Sequence, residues 1–281
     1  MQWNKDAEQA VAKVPFFVRN RVKKRGETEA QQAGAARVTM AHVTACQQRY
    51  LHHQEDEVQG FTVESCFGQS GCPNRIDTGE DLTKRLEALL RAHNLKEFMQ
   101  SRVSGRLKLH HEFRITLADC PNGCSRPQIV DIGLISAFLP RLSDTPCSEC
   151  GACLAACKEE AITLAGPEIG PHCDWRRCLA CGQCARACPT GTIVQDLSGY
   201  RILLGGKLGR HPQIGQELSG IFSAETTLTI IDTCLAHFKA ENRQGERFGE
   251  VLNRTGLAFL APYTPKTALI SRKNFSKGLN L

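Results

Sequence analysis

"TLADCPNGCSRPQIVDIG", residues 116–133, decides the fold because it sets two cysteines in a tight turn between two apolar segments. Cys120 and Cys124 are separated by three residues and lie among Pro, Asn, Gly and Ser, which favour turns. The spacing is too short for an ordinary zinc knuckle, and no histidine follows nearby. A second pair, Cys66 and Cys72, lies upstream in "CFGQSGC". The two pairs supply four thiols, the number that one 4Fe–4S cluster takes.

Cysteine is unusually frequent, with fifteen in 281 residues. The opening segment "MQWNKDAEQA" has no apolar stretch typical of a secretion signal, so we expect a cytoplasmic protein. In a reducing compartment, clustered cysteines indicate metal binding rather than disulfides. Twelve of the fifteen fall into three groups, and Cys46, Cys173 and Cys234 stand apart. The longest apolar run is too short to cross a bilayer, so no membrane association is expected.

Two further runs, "CSECGACLAAC" and "CLACGQCARACP", have the spacing C-x2-C-x2-C-x3-C. They resemble the two-cluster ferredoxins, in which the fourth cysteine of each run ligates the other cluster. The resemblance implies two 4Fe–4S clusters with crossed ligands. One is assigned to Cys147, Cys150, Cys153 and Cys188, and the other to Cys178, Cys181, Cys184 and Cys157.

Small residues between these cysteines, such as Gly151 and Gly182, allow the backbone to bend closely and to direct N–H groups at the sulfurs. Lys158 follows Cys157 where the ferredoxin pattern has proline, but this difference removes no ligand. The alternative, a pair of zinc sites, fits the spacing less well because zinc usually takes two separated pairs of ligands.

The two short pairs resemble the siroheme-binding half of the sulfite and nitrite reductases. The likeness extends to "CPNGCSRPQIVDIGLI" and to residues 199–223, "GYRILLGGKLGRHPQIGQELSGIFS". The inserted ferredoxin run is arranged as in dissimilatory sulfite reductases, and the likeness is strongest to the C subunit of the anaerobic sulfite reductases. The resemblance implies that Cys66, Cys72, Cys120 and Cys124 hold a third 4Fe–4S cluster. It also implies that Cys124 bridges this cluster to the iron of siroheme.

Siroheme carries eight carboxylates, which a protein must neutralise with cationic side chains and backbone N–H groups. The segment "GGKLGRHP" combines cations with glycines that permit close backbone approach. Lys207 is the first candidate for this role. The others are Arg210, His211, Arg126 and Arg75, and for each of them a solvated surface charge is the alternative interpretation.

The N-terminal part has a different character. Helical spacing of apolar residues predicts a helix within residues 7–34 and another over residues 38–51, with Thr39 as the N-cap. "VPFFVRNRVKKR" and "ARVTMAHV" resemble the small helical domain that ends the B subunit of light-independent protochlorophyllide reductase, another enzyme that handles a tetrapyrrole. The basic residues here indicate a helix face that is solvated or that faces an acidic partner. The net charge is only +6 and no nucleic-acid-binding module is present, so no nucleic acid is expected as a partner.

We therefore predict an α+β fold: a siroheme/4Fe–4S sulfite reductase half-domain with an inserted 2×(4Fe–4S) ferredoxin domain and a small N-terminal helical domain. Within it we expect a helix over 82–99, strands over 111–118 and 200–206, and a helix over 225–240 with Cys234 in the core. The predicted boundaries are 1–55 for the helical domain, 56–140 and 195–262 for the siroheme/4Fe–4S domain, 141–194 for the ferredoxin domain and 263–281 for a loose tail.

Two classes of function are open. The first is a reductase that converts sulfite or nitrite by six electrons at siroheme, with three 4Fe–4S clusters and electrons from a donor protein. Sulfite reductases of this type contain two related halves, and the first half, with much of the basic substrate pocket, is not found here. Partner reductase subunits would then complete the pocket. The alternative is an electron-transfer or tetrapyrrole-handling iron–sulfur protein without turnover of its own.

Overall fold

The computed structural model of the protein describes residues 1–79, 81–166 and 170–263, without the side chains of residues 17, 18 and 49–57. All but the first residue of the predicted tail, 263–281, lies outside these ranges. The described chain forms two compact units. The first contains residues 1–59 and 105–110, and the second contains residues 60–104 and the chain from His111 onward.

The first unit is helical, with α1 (Lys5–Ala12), α2 (Phe16–Gln32) and α3 (Met40–Glu57) beside a short parallel pair, β1 (Gln2–Trp3) and β2 (Arg37–Val38). The helix expected within residues 7–34 is interrupted, because Pro15 lacks an N–H group and starts a new helix as its N-cap. Thr39 precedes α3 as predicted, with its Oγ1 3.1 Å from His42 Nδ1. The buried residues Val11, Ala30 and Val38 provide apolar contacts within this unit.

The second unit has mixed helix and sheet. Its elements in chain order are β3 (Phe61–Ser65), α4 (Leu82–Ala92), α5 (Leu95–Arg102), β4 (Phe113–Ala118), β5 (Ile132–Leu142), α6 (Ala152–Ala156), β6 (Ile162–Leu164), β7 (Pro171–Cys173), α7 (Gln183–Ala187), β8 (Ile193–Leu204), β9 (Gln216–Glu217), α8 (Ala224–Glu241) and α9 (Phe248–Thr255).

A five-stranded sheet with the order β3-β4-β5-β8-β9 is the centre of this unit. The first three strands are parallel, and β8 and β9 are antiparallel to their neighbours. The strand expected over 111–118 is confirmed as β4, whereas the one expected over 200–206 is the end of the longer β8. The apolar run in β5 is almost completely buried, as is typical of a central strand.

Helices cover the sheet and form an aromatic core. Phe113 of β4 lies 5.2 Å from the ring of Phe238 on α8 and 5.4 Å from that of Phe248 on α9, centre to centre. Cys234 is fully buried on α8, as expected. The helix predicted over 82–99 is divided into α4 and α5, because Asn94 adopts a left-handed conformation with φ of 49°. Truncation of Phe238 to alanine would cost about 3–5 kcal/mol.

Residues 143–192 form an insert between β5 and β8. The Ser143 N–H donates to the Thr192 carbonyl at 2.8 Å, so the insert leaves and rejoins the sheet at adjacent positions. Because β5 is parallel to β4, its end lies at the same edge of the sheet as the ends of β3 and β4. The insert therefore stands beside the cysteines that follow those strands. Across the described ranges, no helix has the length and apolar character needed to span a membrane.

Candidate metal centres

The first group of cysteines lies at the edge of the sheet. Cys66 directly follows β3, and its N–H donates to the carbonyl of Leu117 in β4 at 3.0 Å. Cys120 follows β4 and is buried, which raises the pKa of its thiol; nearby charge on Cys72, Cys124 and Cys66 raises it further. Cys66, Cys72 and Cys124 are thus each within electrostatic reach of Cys120. We call Cys66, Cys72, Cys120 and Cys124 the sheet-edge set.

Cys124 differs from the rest of this set because it is exposed, whereas Cys120 is 7 % exposed. The segment after Cys124 packs against the loop between β8 and β9. A side chain on Gly206 of that loop would meet the Gln128 carbonyl at 2.4 Å, so only glycine permits this approach. The segment that begins at the exposed Cys124 therefore contacts a loop that carries cationic and apolar side chains.

The cationic side chains predicted for siroheme have two kinds of environment. Arg126, Arg210 and His211 are exposed, and their side chains have no hydrogen-bond or ion-pair partner within the ranges that the structure describes. Lys207 donates to Glu250 Oε1 at 2.6 Å, which lowers the pKa of that carboxyl. Arg75 lies 3.8 Å from Asp119 Oδ2. The roles of all five in cofactor binding stay predictions.

The two cysteine runs of the insert form a structural repeat with a period of 31 residues. Glu149 and Ala180 both have positive φ, 53° and 56°, and so do Gly151 and Gly182, 72° and 70°. These turns direct the Glu149 N–H at Cys147 Sγ and the Ala180 N–H at Cys178 Sγ, each at 3.4 Å. Hydrogen bonds from the backbone to sulfur are one way in which proteins tune iron–sulfur clusters.

The fourth cysteine of each run lies beside the other run. The pKa of Cys153 is raised by burial and by the nearby Cys147 and Cys188. The pKa of Cys184 is raised to about 12, first by burial and then by Cys178, Cys181 and Cys157. Cys188 is thus a neighbour of Cys153, and Cys157 a neighbour of Cys184. The crossed ligand sets stay a prediction.

A cavity of about 210 Å³ connects the insert to the sheet edge. Its lining includes Cys157, Cys178, Cys181 and Cys184 from the insert and Cys120 from the sheet-edge set. We call these four insert thiols the inner set and Cys147, Cys150, Cys153 and Cys188 the outer set, because none of the latter lines this cavity.

Two contacts fix the second run to the sheet. The Phe138 N–H in β5 donates to the Ala180 carbonyl at 2.7 Å. Arg186, which lies between Cys184 and Cys188, donates from Nη1 to the carbonyl of Pro73 at 3.1 Å and from Nη2 to that of Arg75. The loop of Cys72 and the second run are therefore held together by backbone acceptors and a single guanidinium.

Sequence reasoning missed Cys173, which it set apart from every group. The structure buries it at 2 % exposure on β7, where it lines the cavity of the inner set. A hydrogen bond with Cys178, together with burial, raises the pKa of Cys173. The 31-residue period provides a signal that could have located it, because residue 173 precedes Cys178 by the same interval as Leu142 precedes Cys147.

The thiols do not converge on a single point. Within residues 1–79, 81–166 and 170–263, no group of three or more His, Cys, Asp or Glu side chains is placed to hold one metal ion. A 4Fe–4S cube has a different requirement, because each thiolate binds a separate iron at its own corner of the cluster.

Residues 60–261 match the family described as "Nitrite and sulphite reductase 4Fe-4S domain", which is most of the chain. The protein belongs to this family. The sulfite and nitrite reductase resemblance and the iron–sulfur character of the chain are thereby confirmed. Residues 3–47 match the family described as "Proto-chlorophyllide reductase 57 kD subunit", which supports the N-terminal resemblance.

Two curated relatives are sulfite reductases. The chain is 34 % identical over 148 residues to the coenzyme F420-dependent sulfite reductase of Methanocaldococcus jannaschii, which covers 52 % of this chain and 23 % of that protein. It is 24 % identical over 105 residues to the C subunit of the anaerobic sulfite reductase of Salmonella typhimurium, covering 37 % and 26 %. The chain thus spans about a quarter of the length of each.

Among solved structures, a dissimilatory sulfite reductase I is similar over 86 % of this chain and 61 % of that chain. The TM-score is 0.48 and the sequence identity is 18 %.

Proposed function

We propose that this chain is a siroheme- and iron–sulfur-dependent reductase, or the catalytic subunit of one, that reduces sulfite or nitrite by six electrons. The observation that carries the proposal is the shared cavity between the inner set and Cys120 of the sheet-edge set. It joins a ferredoxin-like pair of thiol sets to the cysteine pattern of the sulfite and nitrite reductase family.

The three thiol sets would each hold one 4Fe–4S cluster, with four cysteines for each. When bound, the clusters and siroheme would supply the electron storage and the iron at which the substrate oxyanion is reduced. The fit rests on this chain's own residues. Cys66, Cys72 and Cys124 each lie within electrostatic reach of Cys120, and Cys124 is exposed beside the segment that packs on Gly206.

Exposed side chains on the segment that follows Cys124 and on the loop that packs against it suit a large ligand that is both apolar and acidic. Leu208 and Ile214 are 63 % and 72 % exposed on the loop that carries Arg210 and His211. Arg126 follows Cys124 by two residues and is also exposed. In this proposal the arginines bind carboxylates, for which the guanidinium geometry is well suited. The leucine and isoleucine cover the apolar surface of the macrocycle.

Lys207 has a different part in this proposal. Its ion pair with Glu250 fixes the base of the loop to α9, and its backbone exchanges two hydrogen bonds of 2.9 Å with Gln213. Lys207 therefore positions Arg210 and His211, which lie between these two residues, and it would reach a carboxylate of the cofactor only by leaving Glu250.

The positions of the three thiol sets indicate the route that electrons would take. The inner set shares a cavity with Cys120, so it is the one that would deliver electrons to the sheet-edge set. Cys150 of the outer set is exposed, which makes the outer set the entry point for a donor protein. In this proposal partner subunits complete the substrate pocket, in line with the relative that is itself the C subunit of a reductase.

The second candidate is an electron-transfer or tetrapyrrole-handling protein without turnover. It is favoured by the ion pairs of Lys207 and Arg75, which engage two of the five cations predicted for siroheme.

One experiment separates the two candidates. The protein, purified without oxygen, is analysed for iron, sulfide and its visible spectrum, and is then supplied with a strong artificial reductant and either sulfite or nitrite. We expect about twelve cluster irons from three four-iron clusters, the visible bands of siroheme and consumption of one of the anions. Clusters without siroheme would favour the electron-transfer candidate, and zinc or iron for only two clusters would contradict the assignment of the sheet-edge set.

A further inference from the structure

Cys173 is the fifth thiol of the insert that lines the cavity of the inner set. It ends β7, pairs with Ile162 of β6 and is 2 % exposed. The same cavity is lined by Cys157, Cys178 and Cys184. The turn that follows β7 brings Cys178 back beside Cys173, since the Cys178 N–H donates to the carbonyl of Asp174 at 3.1 Å. A 4Fe–4S cluster takes four cysteines, so one thiol of the five is in excess.

The repeat within the insert provides an internal comparison. Cys173 pairs with Ile162 across the β6–β7 hairpin, and Leu142 pairs with Ile193 between β5 and β8. Both pairs occupy the same place in the 31-residue period. Leu142 is 4 % exposed and belongs to a buried cluster that contains cysteines of both sets, and it lies with Cys147 of the outer set against Gly170. The inner set therefore has a thiol at the position where the outer set has an aliphatic side chain.

The environment of Cys173 determines how this thiol acts. A negative charge at a buried position is costly, and here it would lie beside the thiolates of a cluster. A buried cysteine in such a place behaves as a neutral S–H group, which is a weak donor. Cys178, as a cluster ligand, offers a negatively charged sulfur as the acceptor.

We propose that Cys173 donates an S–H···S hydrogen bond to Cys178 and thereby raises the reduction potential of the cluster held by the inner set. Reduction adds negative charge to a cluster, and a hydrogen bond to its sulfur stabilises the more negative state. Leu142 provides no such bond to the outer set. The difference favours electron flow from the outer set to the inner set. Cys173 is a positioning and tuning residue, and the inference rests on the cluster assignments in the proposed function.

The test compares midpoint potentials in the full-length protein by redox titration with electron paramagnetic resonance. A Cys150→Ser variant serves to assign the signal of the outer set. Cys173→Leu gives the inner set the side chain that the outer set already has. We expect a lower potential for the inner cluster, an unchanged potential for the outer cluster and unchanged iron content. Cys173→Ser retains a hydroxyl donor and is expected to keep the inner potential above that of Cys173→Leu.

Two further variants complete the design. Leu142→Cys places a thiol beside the outer set, and we expect it to raise the potential of the outer cluster. Cys234→Ala removes a buried thiol from α8 and serves as the control that moves neither potential. The same inner potential in Cys173→Leu as in the parent protein would overturn the proposal. So would the loss of four irons in that variant, because Cys173 would then be a ligand. These readouts do not require siroheme or turnover, so they remain decisive if the proposed reductase activity is not found.

Discussion

Arg186 Nη1 donates a hydrogen bond of 3.1 Å to the backbone carbonyl of Pro73. The arginine lies between two cysteines of the second run, and the proline directly follows Cys72 of the sheet-edge set. One side chain therefore sets the separation between two candidate metal centres. Because the acceptors are carbonyl oxygens, this separation depends on the two hydrogen-bond donors of the planar guanidinium and not on an ion pair.

The first prediction concerns this contact. Arg186→Ala removes the hydrogen bonds to Pro73 and Arg75 without removing a ligand, so we expect unchanged iron and sulfide content but slower electron transfer from the insert to the sheet-edge set. Arg186→Lys keeps the charge but lacks the planar pair of N–H donors, and it should give an intermediate rate of electron transfer. Stopped-flow reduction monitored by absorbance measures the rate. Arg177→Ala, which removes only an exposed pair with Glu160, is the control. Equal rates in all four proteins would contradict the prediction.

The second prediction concerns the crossed ligands. Cys157 lies in the first run but beside Cys178, Cys181 and Cys184. Cys157→Ala should therefore disturb the signal of the inner set and leave the outer set largely intact. Electron paramagnetic resonance of the reduced variant checks this, with Cys188→Ala as the reciprocal case that should disturb the outer set. Loss of the outer signal in Cys157→Ala would show that the ligands do not cross.

The third prediction concerns Cys124. If its exposed sulfur joins the sheet-edge cluster to siroheme, then Cys124→Ser should abolish magnetic coupling between the two centres and the reduction of sulfite or nitrite. Serine offers a harder and weaker bridging atom than a thiolate. The clusters of the insert should survive because their ligands lie elsewhere. Cys46→Ser, in the helical unit, should change neither property. Coupling that persists in Cys124→Ser would place the bridge on another residue.

The fourth prediction concerns pH. The hydrogen bond from Lys207 is the main influence that lowers the pKa of Glu250 from 4.5. A carboxyl with a lowered pKa in the folded state stabilises the protein above its unfolded pKa, and this contribution is lost as the pH falls through the folded value. Glu250→Gln should lower the melting temperature by about 2–4 °C at neutral pH, if the pair contributes about 1 kcal/mol. The difference from the parent should shrink below pH 4.5.

Thermal unfolding followed by circular dichroism between pH 3 and pH 7 measures this effect. Glu87→Gln removes an exposed i,i+4 pair with Arg91 and should have little effect at any pH. A Glu250→Gln variant whose deficit is independent of pH would contradict the prediction, because the loss would then not come from the ionised carboxylate that accepts from Lys207 and, at 2.9 Å, from the Arg247 N–H.

Much of the fold could be predicted from local patterns. Alternation in "HEFRITLA" located β4, and apolar spacing located α8 with Cys234 in its core. The breaks at Pro15 and Asn94 were missed because helical periodicity continues across them. A proline N-cap starts a second helix without interrupting the apolar spacing in the sequence. A single left-handed residue likewise redirects the chain without changing that spacing. Strand β5 was missed because a fully buried run has no alternation.

The candidate site could be predicted wherever the spacing of residues along the chain determines which side chains lie close together. The thiol sets follow from the cysteine intervals and from parallel strands that end at one edge. The partners of Lys207 and Arg75 were not predictable, because Glu250 and Asp119 lie on elements that only the tertiary fold brings close. Cys173 was missed for a related reason: its relation to Cys178 depends on a hairpin whose two short strands have no distinctive pattern.

The hydrogen bond between Ser143 and Thr192 has a consequence for the history and engineering of the chain. The two ends of the insert emerge side by side from an antiparallel pair, so a tight hairpin turn could close β5 and β8 without shifting their register. Residues 143–192 are thus an exchangeable module on a sheet that does not need them for its topology. Recombination at this one junction could add, remove or replace the cysteine-rich segment, and the same junction is the natural place to graft another.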